Sequence, residues 1–97
     1  MQLRDLIQQP NAILIDVRET WEFQMGNVPG SFNIPLGEVP GRVEEFLKMD
    51  GPIILFCASG NRSGMAANFL AARGVKNVYN GGGWYEVHRT VQLVKRA

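Results

Sequence analysis

Sulfur nucleophiles act as thiolates, and the one cysteine of this chain, Cys57, sits in a setting suited to holding that charge. It ends the longest wholly apolar run, Ile53 to Cys57, and is followed at once by Ala58-Ser59-Gly60-Asn61-Arg62-Ser63. An apolar run of this length reads as a strand covered on both faces, and the loop after it leads into the free N–H groups of a predicted helix. Gly60 permits backbone conformations that other residues avoid, so the loop can curl its amides toward one point. An anion held there gains from the amides and the positive helix end, and Arg62 adds a full cationic charge.

The same field acts on the thiol itself. An unperturbed thiol titrates near ~8.5, and lowering it by roughly two units needs about 2.7 kcal/mol of preference for the anion. A helix terminus in a partly buried geometry supplies up to ~2 kcal/mol, and a few amide hydrogen bonds complete the shift. No histidine is required, which matters because His88 is the only one in the chain. The plain alternative is a small buried core residue, since free cysteines are often inert. The glycine-containing, arginine-bearing loop weighs against it. Arg62 at a helix start opposes the helix dipole, and that mismatch points to something negative nearby.

Ligands of parallel sheets bind outside the carboxyl ends of strands, so the rest of the chain must put Cys57 on such an edge. The pattern does this. Leu3, Leu6 and Ile7 mark an amphipathic first helix stopped before Pro10, and Ile13 to Val17 reads as a buried strand ending at Asp16 and Arg18. Glu19 to Met25 suits a short helix, Ser31 to Ile34 a brief strand, and Gly41 to Met49 a helix entered at Pro40 with Val43, Phe46 and Leu47 inward. Pro52 to Cys57 is the central strand. A helix from Ser63 to Arg73 buries Met65 or Ala66, Phe69, Leu70 and Ala72, and Gly74 closes it. Val75 to Tyr79 follows as a strand, Asn80-Gly81-Gly82-Gly83 as a turn, and Trp84 to Val94 as a last helix carrying Val87, Val91 and Val94. Strands alternating with helices predict an α/β fold, a mostly parallel central sheet with helices on both faces.

Composition narrows the function classes. The 97 residues, 45% of them hydrophobic, fit one domain over 1–97 with a core that needs no disulfide or metal. Ten Lys+Arg against nine Asp+Glu, with no basic block, argue against a nucleic-acid or anionic-membrane partner. One cysteine and one histidine offer no metal site. The opening residues lack the apolar stretch of a secretory signal, so the chain reads as cytoplasmic, although a removed export signal leaves no trace. No coiled-coil or apolar stripe argues against a monomer.

Taken together, these segments resemble a single rhodanese domain. Leu14-Ile15-Asp16-Val17-Arg18-Glu19 with Glu22-Phe23, Gly26-Asn27-Val28-Pro29-Gly30-Ser31 and Asn33-Ile34-Pro35-Leu36 are similar to the amino-terminal signature of that family. Ile54 to Ser63 resembles its active-site strand and loop, and Arg73 to Tyr79 with Gly81-Gly82 its last strand and glycine pair, over about residues 3 to 90. The resemblance implies sulfur transfer in two displacements, from a donor such as thiosulfate to cyanide or a thiol, with no cofactor beyond a persulfide on Cys57. Under it, Cys57 is the nucleophile and the amides of Ala58, Ser59, Gly60, Asn61 and Arg62 cradle the outer sulfur. Ser63 caps the following helix and can donate a hydrogen bond, and Arg62 orients the anionic donor. Asp16 and Arg18, which also end a strand on this edge, tie turns together. Trp21, Phe32, Trp84 and Tyr85 read as core or pocket wall, His88 as an exposed helix residue, and Arg89, Lys95 and Arg96 as a solvated helix end.

Three positions depart from the commoner pattern of the family. Asn27 stands where many members have His, Ala58 where many have a basic residue, and Trp84 follows the glycines directly. Asn27 bears on local turn bonding. Ala58 removes a cation beside the loop, weakening the hold on a doubly charged donor and pointing to a persulfide or a protein as the sulfur source. The short lead before the first strand fits a minimal domain or one excised from a larger protein. Two rival readings stand. One is a cysteine phosphatase or arsenate reductase, whose loops place one more residue between Cys and Arg and which needs a general acid. The other is a non-catalytic module that binds sulfur or senses redox state through Cys57.

Overall fold

A computed structural model describes residues 2–96. The helix α1 (Leu3–Gln8) precedes β1 (Ile13–Asp16), α2 (Thr20–Met25) and β2 (Phe32–Asn33). A 3-10 helical stretch (Leu36–Arg42) runs into α3 (Val43–Leu47), followed by β3 (Ile53–Cys57), α4 (Asn61–Ala72), β4 (Val78–Gly83) and α5 (Trp84–Arg96). The four strands are all parallel in the order β2-β1-β3-β4, which places β3 inside the sheet. Every residue of β3 is buried, as a strand covered on both faces must be.

Two apolar layers flank the sheet. On one face Ile15, Ile53, Leu55 and Cys57 pack with Val39, Phe46, Ala66 and Leu70, from the 3-10 stretch, α3 and α4. On the other, Phe56 and Val28 meet Val87 and Val91 of α5, with Leu3 and Ile7 of α1 against them. Helices therefore cover both faces, as the alternating pattern predicts. Each fully buried Leu, Ile, Val or Phe contributes roughly 1.5–3 kcal/mol, so the strand that carries Cys57 is anchored from both sides.

The structure corrects the sequence reading at five points. The α-helix expected from Gly41 begins at Val43, because Pro40, inside the 3-10 stretch, has no N–H for an α-type bond and Gly41, a poor helix former, follows it. Leu47 is exposed. On α4 the inward face is Ser63, Ala66 and Leu70, leaving Met65 and Ala72 exposed and Phe69 half-buried. Trp21, Phe32 and Tyr85 are exposed rather than core, while Trp84 is half-buried. The basic helix end rests partly on Lys95 and Arg96, whose side chains lie outside the described residues.

The fifth correction concerns the glycine run. Gly81-Gly82-Gly83 is strand, not turn, and pairs with Phe56 and Cys57 across a bulge between Leu55↔Asn80 and Phe56↔Gly82. A Cβ on Gly81 would lie 2.7 Å from Ile54 Cγ2 and 3.3 Å from the Leu55 carbonyl oxygen. The strand runs so close to its neighbour that a side chain does not fit, and bulges commonly form where ladders meet sites. The turn lies earlier, at Arg73–Gly74, and the strand expected from Val75 begins only at Val78. Val75 is buried, its N–H donates to the Leu70 carbonyl, and Gly74 donates to Ala71, closing α4 as expected.

Candidate active site

The active-site loop begins where β3 ends. Gly60, at φ 98°, turns the chain into α4 and brings its own N–H to 3.1 Å from Cys57 Sγ. The Ser63 N–H lies 3.5 Å from the sulfur and the Ser63 hydroxyl 3.4 Å. Cys57 has no exposed surface, and such burial opposes ionisation. The Ser63 hydroxyl and the amides of Ser63, Ser59 and Gly60 outweigh it and bring the thiol from 9.0 down to about 7. The thiolate is thus more accessible at neutral pH than for an ordinary cysteine. His88, expected to be exposed, is half-buried and takes no part, packing edge-on against Trp84 at 6.3 Å between ring centroids.

Among the sequence-predicted cradle residues, Gly60 reaches the sulfur and Ser59 contributes its amide, while Ala58, Ser59 and Asn61 are exposed. The amides of Ala58, Asn61 and Arg62 make no hydrogen bond to Sγ among the described residues. Ser63 does not cap α4, because the helix starts at Asn61 with Gly60 as its N-cap and Ser63 is already in the first turn. Its buried hydroxyl faces inward, 2.7 Å from Asn80 Oδ1 and within reach of the sulfur.

Asn80 is a site residue that sequence reasoning missed. Its Oδ1 accepts from the Ser63 hydroxyl and from the Gly82 N–H at 3.0 Å, and its Nδ2 donates to the Gly60 carbonyl at 3.1 Å. One amide side chain on β4 thereby fixes the loop, the hydroxyl and the bulge. Its position ahead of three glycines reads as a turn until the pairing with β3 is seen.

Arg62 is also placed differently from expectation. Its Nη1 and Nη2 donate to Glu22 Oε1 and Oε2 at 2.7 and 3.1 Å. The negative group implied by an arginine at a helix start is the protein's own carboxylate, reached across 40 residues of chain. The Arg62 guanidinium holds the Glu22 carboxyl down at about 2 against burial, with the Glu19 N–H and Arg18 assisting. Arg62 is raised in return, by Glu22 first and by Cys57 to a smaller extent. Glu22 also accepts from the Glu19 N–H at 2.9 Å, closing the capping box of α2, so its carboxylate is fixed from two directions.

Asp16 and Arg18 form a buried structural pair, as expected. Arg18 Nη2 donates to Asp16 Oδ2 at 2.8 Å and to the Gly26 carbonyl at 2.6 Å, and the guanidinium lies 4.5 Å above the Trp84 ring. Asn27 serves its turn, donating to the Phe23 carbonyl at 2.9 Å. No group of three or more His, Cys, Asp or Glu among the described residues could hold a metal ion, and none of the described helices is long and apolar enough to cross a membrane.

The sequence and the fold are matched elsewhere. The Rhodanese-like domain family matches residues 1–90. The chain belongs to the rhodanese-like family. It is 44% identical over 69 residues to the protein YqhL of Bacillus subtilis, covering 71% of this chain and 54% of that protein. It thus spans about half the length of that curated relative. To the thiosulfate sulfurtransferase GlpE of Actinobacillus succinogenes it is 35% identical over 82 residues, 84% of this chain and 73% of that protein. Among solved structures, a rhodanese with anions from E. coli is similar at a TM-score of 0.70 and 33% identity, covering 77% of this chain and 89% of that one. The rhodanese fold is thereby shown for this chain, with its Cys57 loop on the carboxyl edge of the sheet.

Proposed function

We propose that this rhodanese-like protein is a sulfurtransferase that carries a sulfane sulfur on Cys57. The observation that supports this reading best is a buried sulfur met by the Gly60 and Ser63 amides and the Ser63 hydroxyl, with no histidine partner. The Cys57 thiolate attacks the outer sulfur of thiosulfate, the S–S bond of the donor breaks, and sulfite leaves with its electron pair. The outer sulfur remains on Cys57 as a persulfide. Cyanide or a thiolate then attacks that terminal sulfur, the new S–S bond breaks, and the Cys57 thiolate returns. Each step exchanges one S–S bond for another S–S or S–C bond and releases a stable anion, with no net transfer of electrons or protons, so this chemistry calls for no redox cofactor or external base. The loop amides of Ala58 to Arg62 stabilise the anionic terminal sulfur.

A phosphatase is less well supported. Its leaving alkoxide needs a proton, and Glu22, the carboxyl bound to the loop's Arg62, is held near 2 and has none to give at neutral pH. The protein is expected to act as a cytoplasmic monomer on small anionic donors or on a sulfur-carrying protein. Intact mass after thiosulfate and desalting, repeated after cyanide, tests the proposal with Cys57→Ser as control. The expected result is a gain of one sulfur atom that requires Cys57 and is lost to cyanide. No adduct on the folded protein from either thiosulfate or a small persulfide would overturn it in favour of a binding or redox-sensing module.

A further inference from the structure

The site presents its nucleophile with little net charge around it. Arg62, the cation of the loop, is paired in bidentate fashion with Glu22, and the pair is more than half buried, with side-chain exposures of 31% and 17%. Arg18, the other cation felt by Glu22, is itself paired with buried Asp16. Ala58 adds no charge, and Glu19, whose N–H donates to the Glu22 carboxylate and whose own carboxylate accepts from the Glu22 N–H, brings a further negative charge and no cation. Thiosulfate brings two negative charges to a thiolate that already carries one. Arg62 and Arg18, the two cations that could offset this repulsion among those described above, are each matched by a carboxylate from the same chain.

From this arrangement we infer that Glu22 is a specificity-determining residue, which cancels the charge of Arg62 at the Cys57 loop and so favours singly charged persulfide donors over the thiosulfate dianion. This rests on the sulfur-transfer reading above and deepens it by naming the donor class. Glu22 touches neither donor nor sulfur; it acts through Arg62 and is a positioning residue. With a persulfide monoanion the step remains balanced: the Cys57 thiolate attacks the terminal sulfur, the donor S–S bond breaks, and a thiolate leaves. One negative charge arrives and one departs.

The test is Glu22→Gln, which keeps the acceptor for the Glu19 N–H and leaves Arg62 unneutralised. Loading of Cys57 is followed by intact mass with thiosulfate and, separately, with the persulfide of mercaptoethanol. For a unit charge at roughly 7 Å and an effective dielectric of about 40 to 80, a dianion gains twice what a monoanion gains. The ratio of thiosulfate to persulfide loading rates should therefore rise roughly three- to sevenfold, and the rise should shrink in high salt. Glu22→Asp keeps the charge and should keep the wild-type ratio. Thiolate ultraviolet absorbance, which needs no reagent to enter the loop, should show Cys57 titrating about half a unit lower in Glu22→Gln. A merely structural Glu22 would slow both donors alike and leave the ratio unchanged, and that result, or a Cys57 titration that does not move, overturns the inference. If neither donor loads the wild type, the sulfur-transfer reading fails on its own, and the titration still decides whether Glu22 screens the loop.

Discussion

Removing the Ser63 hydroxyl tests how the thiolate is held. That hydroxyl has one proton and two acceptors in reach, Cys57 Sγ at 3.4 Å and Asn80 Oδ1 at 2.7 Å. It serves Asn80 when Cys57 is protonated and the sulfur when Cys57 is charged. The effect on the thiol is therefore the difference between a charge-assisted bond of about 1.5–3 kcal/mol and a neutral one of about 0.5–1.5 kcal/mol, or about 1 kcal/mol. At 1.36 kcal/mol per unit, Ser63→Ala should raise the Cys57 pKa by about 0.7 from its value of about 7. The thiolate fraction at pH 7 falls from about a half to about a sixth, so sulfur loading should slow about threefold there and recover above pH 9. The fold should survive, because Asn80 Oδ1 keeps the Gly82 N–H at 3.0 Å. Thiolate absorbance against pH and stopped loading reactions read by mass supply the measurements. An unchanged titration, or a deficit that persists at high pH, would refute the assignment of the hydroxyl to the sulfur.

Two further predictions concern stability. Gly81→Ala drives a methyl to 2.7 Å from Ile54 Cγ2 and should destabilise the protein by about 1–3 kcal/mol, seen as a lower denaturation midpoint in urea with the slope unchanged. Glu22 titrates near 2 in the folded protein against an ordinary 4.5, so its ion pair stabilises fully above pH 4.5 and is lost as the pH falls toward 2. After allowance for solvent at the partly exposed pair, the loss is about 1–2 kcal/mol, and Glu22→Gln should flatten this part of the acid unfolding profile.

The sequence by itself determined the architecture and the reacting atom. Hydrophobic period and turn residues are local properties, so the run from Ile53 to Cys57, the Gly74 helix stop and the alternation of strand and helix were legible without coordinates. The lowered thiol followed from the loop and helix start alone, because its donors are the chain's next six residues. Tertiary structure decided what depends on distant partners. The glycine run after Asn80 is strand because β3 lies against it, which no local signal carries, and Asn80 becomes part of the site for the same reason. The charge of Arg62 is the clearest case. Its position near a helix start showed that an anion belongs beside it, but only the packing of α2 across the sheet edge shows that the anion is Glu22. Coulombic partners are chosen by distance in space, and distance along the chain holds no record of them.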